Sequence, residues 1–105
     1  SLQPSELVIR LEGDGNYTSI YSLNQTKPLF ISRTLLYFQR QLPGFLRISK
    51  STLVNPAYVV RLAKKGKVFY VRLTDDTLVV VSRRRVAETA AALSKLGKPE
   101  EKLPK

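Results

Sequence analysis

AYVVRLAKKGKVFYVRLTDDTLVVV, the run from Ala57 to Val81, decides the fold. From Ala57 to Ala63, Tyr58, Val60 and Leu62 alternate with Val59 and Arg61, the period of two that a half-buried strand requires. Lys64-Lys65-Gly66-Lys67 reads as a turn. The chain then returns from Val68 to Leu73 with Phe69, Val71 and Leu73 on one face. Asp75-Asp76 makes a second tight turn before a third strand, Thr77 to Val81. Such a run is an antiparallel meander.

Working outward, the same period appears nearer the start. Leu7, Ile9 and Leu11 alternate within Leu7 to Glu12, Gly13-Asp14-Gly15-Asn16 forms a turn cluster, and Tyr17 to Leu23 completes a hairpin. Pro28 opens a short strand, Leu29 to Ile31. From Ser32 the period becomes helical. Leu35, Leu36, Phe38 and Leu42 recur, Ser32 or Thr34 is the candidate cap, and Pro43-Gly44 ends the helix. Phe45 to Ile48 is again extended, and Asn55-Pro56 imposes a non-helical break. Beyond the meander, Ser82 is placed to cap a helix whose face is Val86, Ala90 and Leu93 and whose terminator is Gly97. The fold class is therefore mainly β and antiparallel, with one short internal helix and a C-terminal helix. Residues 1–6 read as a linker remnant, 7–97 as the domain body, and 98–105 as a flexible, frayed tail. No internal repeat is evident. Phe30, Phe38, Phe45 and Phe69 fall on the apolar faces and are assigned to the core.

One domain is what 105 residues allow. Eighteen Lys+Arg against eight Asp+Glu leave a net charge of +10, with most cations after residue 60. So basic a body attracts polyanions: nucleic acid first, then anionic membrane, then an acidic protein. A hydrophobic content of 43% is too high for a disordered basic tail. The chain has no Cys and no His, which removes disulfides, the usual zinc sites, thiol nucleophiles and imidazole acid–base chemistry. Scattered acids in a field of cations disfavour a hard-cation site, so no cofactor or metal is expected. No apolar run approaches the roughly 20 residues of a membrane span, and no signal peptide opens the chain. Without Met at position 1, the chain reads as a processed product or part of a larger protein. Asn16-Tyr17-Thr18 and Asn24-Gln25-Thr26 match glycosylation sequons, a pattern that arises often by chance.

Three loops carry polar residues that a β scaffold does not need. The sharpest is Ser82-Arg83-Arg84-Arg85. Cations at a helix N-terminus cost about 0.3–1 kcal/mol each at exposed sites, so three arginines in a first turn make sense against a bound anion. The competing explanation is an ordinary solvated basic turn. Ser49-Lys50-Ser51 offers two hydroxyls flanking an ammonium, suited to phosphate but common in loops. Asn16 and Tyr17 stand at the opening hairpin, where Tyr17 more often packs than binds. Enzyme signatures are weak: Ser49 and Lys50 are adjacent rather than spaced as a Ser-x-x-Lys dyad, and Gly13-Asp14-Gly15 lacks the strand-to-helix setting of a phosphate loop.

In order and spacing these segments resemble the LytTR family, the DNA-binding output domain of many bacterial response regulators. The similar stretches are EGDGNYT (Glu12 to Thr18), FLRISKSTLVN (Phe45 to Asn55) and LTDDTLVVVSRR (Leu73 to Arg84), within a likeness spanning roughly residues 7 to 93. The family pattern there runs as an acidic residue before G-N-Y, then F-x-R-V-H-R-S-x-x-V-N, then L-x-D-G-x-x-x-x-V-S-R. The resemblance implies an elongated domain of small antiparallel sheets whose loops enter successive major grooves of double-stranded DNA. It implies two copies at paired direct repeats, a receiver or other sensor domain elsewhere in a cytoplasmic two-component regulator, and no membrane contact by this domain. By motif position Lys50 takes the place of the family arginine, Arg83 matches the V-S-R arginine, and Asn16 or Tyr17 falls at the first contact loop. Arg47 and Asn55 match too, but their chemistry reads as structural. Two departures stand out: Ser49 replaces His, bearing on base preference, and Asp76 replaces the turn glycine at some left-handed cost.

The DNA-binding set is thus Asn16, Tyr17, Ser49, Lys50, Ser51, Arg83, Arg84 and Arg85, with no catalytic group. Charge alone also allows a basic RNA- or ribosome-associated β domain, or an interaction module that adds a partner strand at a sheet edge.

Overall fold

The computed structural model describes residues 4–104, which form two compact units. The first comprises Ser51–Ala57 and the chain up to Arg47; the second comprises Ile48–Lys50 and the chain from Tyr58 onward.

In the first unit a 3₁₀ turn, Ser5–Leu7, leads into β1 (Val8–Asp14) and β2 (Tyr17–Ser22), followed by β3 (Leu29–Ile31), α1 (Leu35–Gln41), β4 (Leu46–Arg47) and β5 (Thr52–Val54). The strands form one antiparallel sheet in the order β3-β2-β1-β5-β4. The alternation expected at Leu7, Ile9 and Leu11 is not the one built. Leu7 lies in the 3₁₀ turn, and a bulge between Val8 and Arg10 shifts the register. An extra residue reverses the facing of everything beyond it, so Val8 and Leu11, three apart, are both buried. With Ile20, Leu35, Phe38 and Leu53 they make the core, and Phe45 is half-buried against it. Thr34 is the cap of α1, its hydroxyl accepting from the Tyr37 N–H at 3.2 Å. Leu35 and Phe38 point inward, whereas Leu36 is exposed. Gly13 is required by this packing, because a Cβ there would sit 2.9 Å from that of Leu35.

Phe30 is a correction. It stands 64% exposed, not in the core, because it pairs with Ser19 on the face opposite the buried Thr18 and Ile20. Arg47 and Asn55 make hydrogen bonds within the first unit, of the kind their chemistry suggests. Arg47 donates to Gln39 Oε1 at 2.6 Å. Asn55, buried, donates to the Val8 carbonyl at 2.9 Å and accepts from the Ala57 N–H at 3.0 Å.

Another 3₁₀ turn, Pro56–Tyr58, spans the chain boundary and ends at the first residue of the second unit's main segment, which continues with β6 (Val59–Lys65), β7 (Val68–Leu73) and β8 (Leu78–Val81). A 3₁₀ turn, Arg83–Arg85, precedes α2 (Val86–Lys95), and β9 (Glu100–Lys102) follows. The sheet order is β8-β7-β6-β9, with β9 parallel to β6. The frayed tail expected after residue 97 is therefore corrected at its centre: Glu101 accepts from Arg72 Nε at 2.9 Å and lies 3.7 Å from Arg61. Hydrogen bonding to Glu101, together with the nearby charges of Glu101 and Asp76, outweighs desolvation and holds the Arg72 guanidinium above its usual range. A bulge between Val59 and Arg61 again buries residues three apart, Val59 and Leu62. The terminator of α2 is a Schellman turn: Gly97, at φ 71°, donates to Ser94, and Lys98 donates to Leu93.

A repeat thus emerges where none was evident. A 3₁₀ turn leads in each case into a seven-residue strand bulged after its first valine, a glycine-containing tip, a six-residue strand, a short third strand and a helix. Val8 and Val59, Leu11 and Leu62, Gly15 and Gly66, and Leu42 and Leu93 occupy corresponding positions. Only the short run VIRL against VVRL betrays this in the residues.

Candidate nucleic-acid interface

In the first unit the β1–β2 tip presents Asn16, exposed, and Tyr17, 46% exposed. Tyr17 stacks on Phe30 with ring centroids 5.3 Å apart and an interplanar angle of 8°. Phe30 is the residue that sequence reasoning missed here. Its available signal was a short strand opened by proline, which marks a sheet edge. Ser51 is exposed, and its carbonyl accepts from the Gly13 N–H at 2.8 Å, which fixes it beside the hairpin. Glu12 strengthens this link: it accepts from the Thr52 hydroxyl at 2.9 Å and from Arg10 Nε at 3.3 Å. The acidic residue before the tip is therefore a tether for the second loop.

In the second unit the Ile48 carbonyl accepts from the Ser82 N–H at 2.8 Å. Ile48 is fully buried, so the half-buried Ser49 and exposed Lys50 leave a fixed point beside the start of the arginine turn. Two of the three polar loops are brought together in this way. Ser82 adopts cap geometry (φ −65°, ψ 147°), yet its side chain makes no cap bond. The expected capped helix is thus corrected. Arg83–Arg85 form a separate 3₁₀ turn, and α2 starts only at Val86 with Arg85 at its N-cap position. A guanidinium has no acceptor, so Arg85 at the N-cap position makes no side-chain cap bond. Glu88 lies in the first turn of α2 and accepts from Arg85 Nη1 at 3.0 Å. Arg83 and Arg84 are exposed and have no acidic partner among the described residues. Beside them an open groove of about 440 Å³ runs from Lys67, Val68 and Phe69 past Val80 to Arg83 and Val86.

Each unit thus carries polar side chains at its strand ends, and comparison with known proteins identifies the family. A model described as the LytTr DNA-binding domain matches residues 2–94. The chain belongs to the LytTR DNA-binding domain family. Among solved structures, this LytTR domain is similar to the LytTr DNA-binding domain of a methyl-accepting/DNA response regulator from Bacillus cereus. The TM-score is 0.69 at 19% identity, covering 87% of this chain and 84% of that one, so the likeness is one of fold. No curated protein matches.

Within this LytTR domain, the mostly β architecture with two helices is the one expected. The departure at Asp76 has the foreseen consequence: its φ is 69°, in the left-handed region that the family's glycine would enter freely. Among the described residues no helix is long and apolar enough to cross a membrane.

Proposed function

We propose that this LytTR domain binds double-stranded DNA sequence-specifically through Asn16, Tyr17 and Ser51 of the first unit and Ser49, Lys50, Arg83 and Arg84 of the second. The Ser82–Ile48 hydrogen bond carries the reading, because it joins a lysine loop to an arginine turn in which two guanidiniums lack an acid partner. An exposed, uncompensated fork of donors suits phosphate oxygens or the O6 and N7 edge of guanine. Arg85, engaged by Glu88, serves to hold the turn and contributes charge rather than a base contact.

In this proposal Lys50 and the loop hydroxyls position the domain on phosphates while Arg83 reads base edges. The loops occupy successive major grooves, two copies fill a paired direct repeat, and the domain is the output element of a two-component regulator acting in the cytoplasm. Its chemistry is recognition, not catalysis.

The test is equilibrium binding of the full chain to duplex DNA across a salt series, with single-stranded RNA as competitor. If about five phosphates are neutralised, log K falls with log salt at a slope near −4 to −5. A salt-independent affinity contradicts the proposal. Preference for the RNA would favour the single-strand reading, for which the exposed Tyr17–Phe30 stack is the supporting feature.

A further inference from the structure

We infer that the β6–β7 tip, Lys64-Lys65-Gly66-Lys67, is a fourth DNA-contacting element that clamps phosphate without reading sequence; the inference rests on the duplex-binding proposal above. The pairing of Phe69 with Val81 runs β7 and β8 so that the start of one lies beside the end of the other. The tip that precedes Val68 and the arginine turn that follows Val81 therefore leave the same end of the sheet. Lys67 and Arg83 both line the groove at that end.

Two of the three lysines, Lys65 and Lys67, are placed for a ligand rather than for the fold. Lys64 lies over the ring of Phe69, 5.2 Å from its centroid, and Phe69 in turn lines the groove. Lys65 and Lys67 are exposed and have no acidic partner among the described residues. Gly66, at φ 63°, makes the turn tight, so that Lys65 pairs with Val68 and both ammonium groups flank one apex. The repeat supplies an independent argument. This apex stands in the second unit where Gly15-Asn16, the proposed first contact loop, stands in the first. Lysine is a mobile point charge with no planar fork, which fits sequence-blind phosphate contact.

The experiment compares the salt dependence of duplex binding for the parent chain, K65A/K67A and K95A/K98A. The last pair removes the same charge from the far end of α2. The expected result is a slope shallower by about two for K65A/K67A, since each lost phosphate contact is worth roughly 0.9. Weakening should be equal on all duplex sequences, and K95A/K98A should keep the parent slope. An unchanged slope for K65A/K67A while the parent binds overturns this inference alone. So does an equal loss in K95A/K98A, which would mark a net-charge effect. Failure of the parent to bind duplex overturns the inference together with the reading beneath it. Thermal unfolding of each variant at the parent's midpoint shows that the fold is not the cause.

Discussion

Ser82 donates its backbone N–H to the carbonyl of Ile48 at 2.8 Å, and through this bond two loops far apart in the chain share one anchor. Because the bond is from the backbone, the Ser82 side chain is dispensable to it. Ser82→Ala should leave stability within about 0.5 kcal/mol of the parent, since no cap bond is lost. Ser82→Pro keeps the native φ of −65° but deletes the donor and strands a carbonyl, which should cost about 1–3 kcal/mol. Chemical denaturation separates the two; equal effects would remove the bond from its anchoring role.

Asn55→Ala tests the structural assignment of a residue that a motif reading alone could mistake for a contact. It leaves the Val8 carbonyl and Ala57 N–H unpaired near the buried join of β1 and β5, at a cost of about 1–3 kcal/mol. The salt slope of DNA binding, measured on the folded variant, should not change.

These two residues also show how far the sequence could be read. Seven of the nine strands, both helices and the three polar loops were legible because alternation and turn residues are local signals, whereas β5 and β9 were not read as strands. Facing within β1 and β6 was not. A bulge at Val8–Arg10 or Val59–Arg61 leaves no mark in an apolar run, yet it reverses every side chain beyond it. Phe30 was misplaced for a related reason, since its face depends on pairing with Ser19. Residues Glu100–Lys102 looked like a solvated tail because ion pairs from Glu101 to Arg61 and Arg72 join residues distant in the chain. At the site, residue types could nominate Lys50 and Arg83, but only the fold shows Ile48 beside Ser82.

Asp76→Gly should stabilise the chain by about 0.5–1 kcal/mol, because a left-handed φ of 69° costs an L-residue more than glycine. The ion pair to Arg72 that is lost spans 3.6 Å at an exposed side chain and contributes little. A lower thermal midpoint would show that the pair outweighs the backbone.

Thr89 lies 2% exposed in α2, and its hydroxyl has no hydrogen-bond partner among the described residues. Its counterpart in the first unit's helix is the apolar Phe38. Thr89→Val keeps the shape and removes the orphan donor, so stability should rise by about 1 kcal/mol. Denaturant unfolding checks this, and a loss would mean that the hydroxyl is satisfied in solution.

The most direct measurement selects bound duplexes from a random pool with the parent chain, then repeats the selection and titration with Arg83→Ala. Recognition by the arginine turn predicts a defined preferred sequence for the parent. For the variant it predicts a loss of about 1–3 kcal/mol and relaxed preference at one base position. An unselective parent, or a variant with the same preferred sequence and affinity, would contradict it.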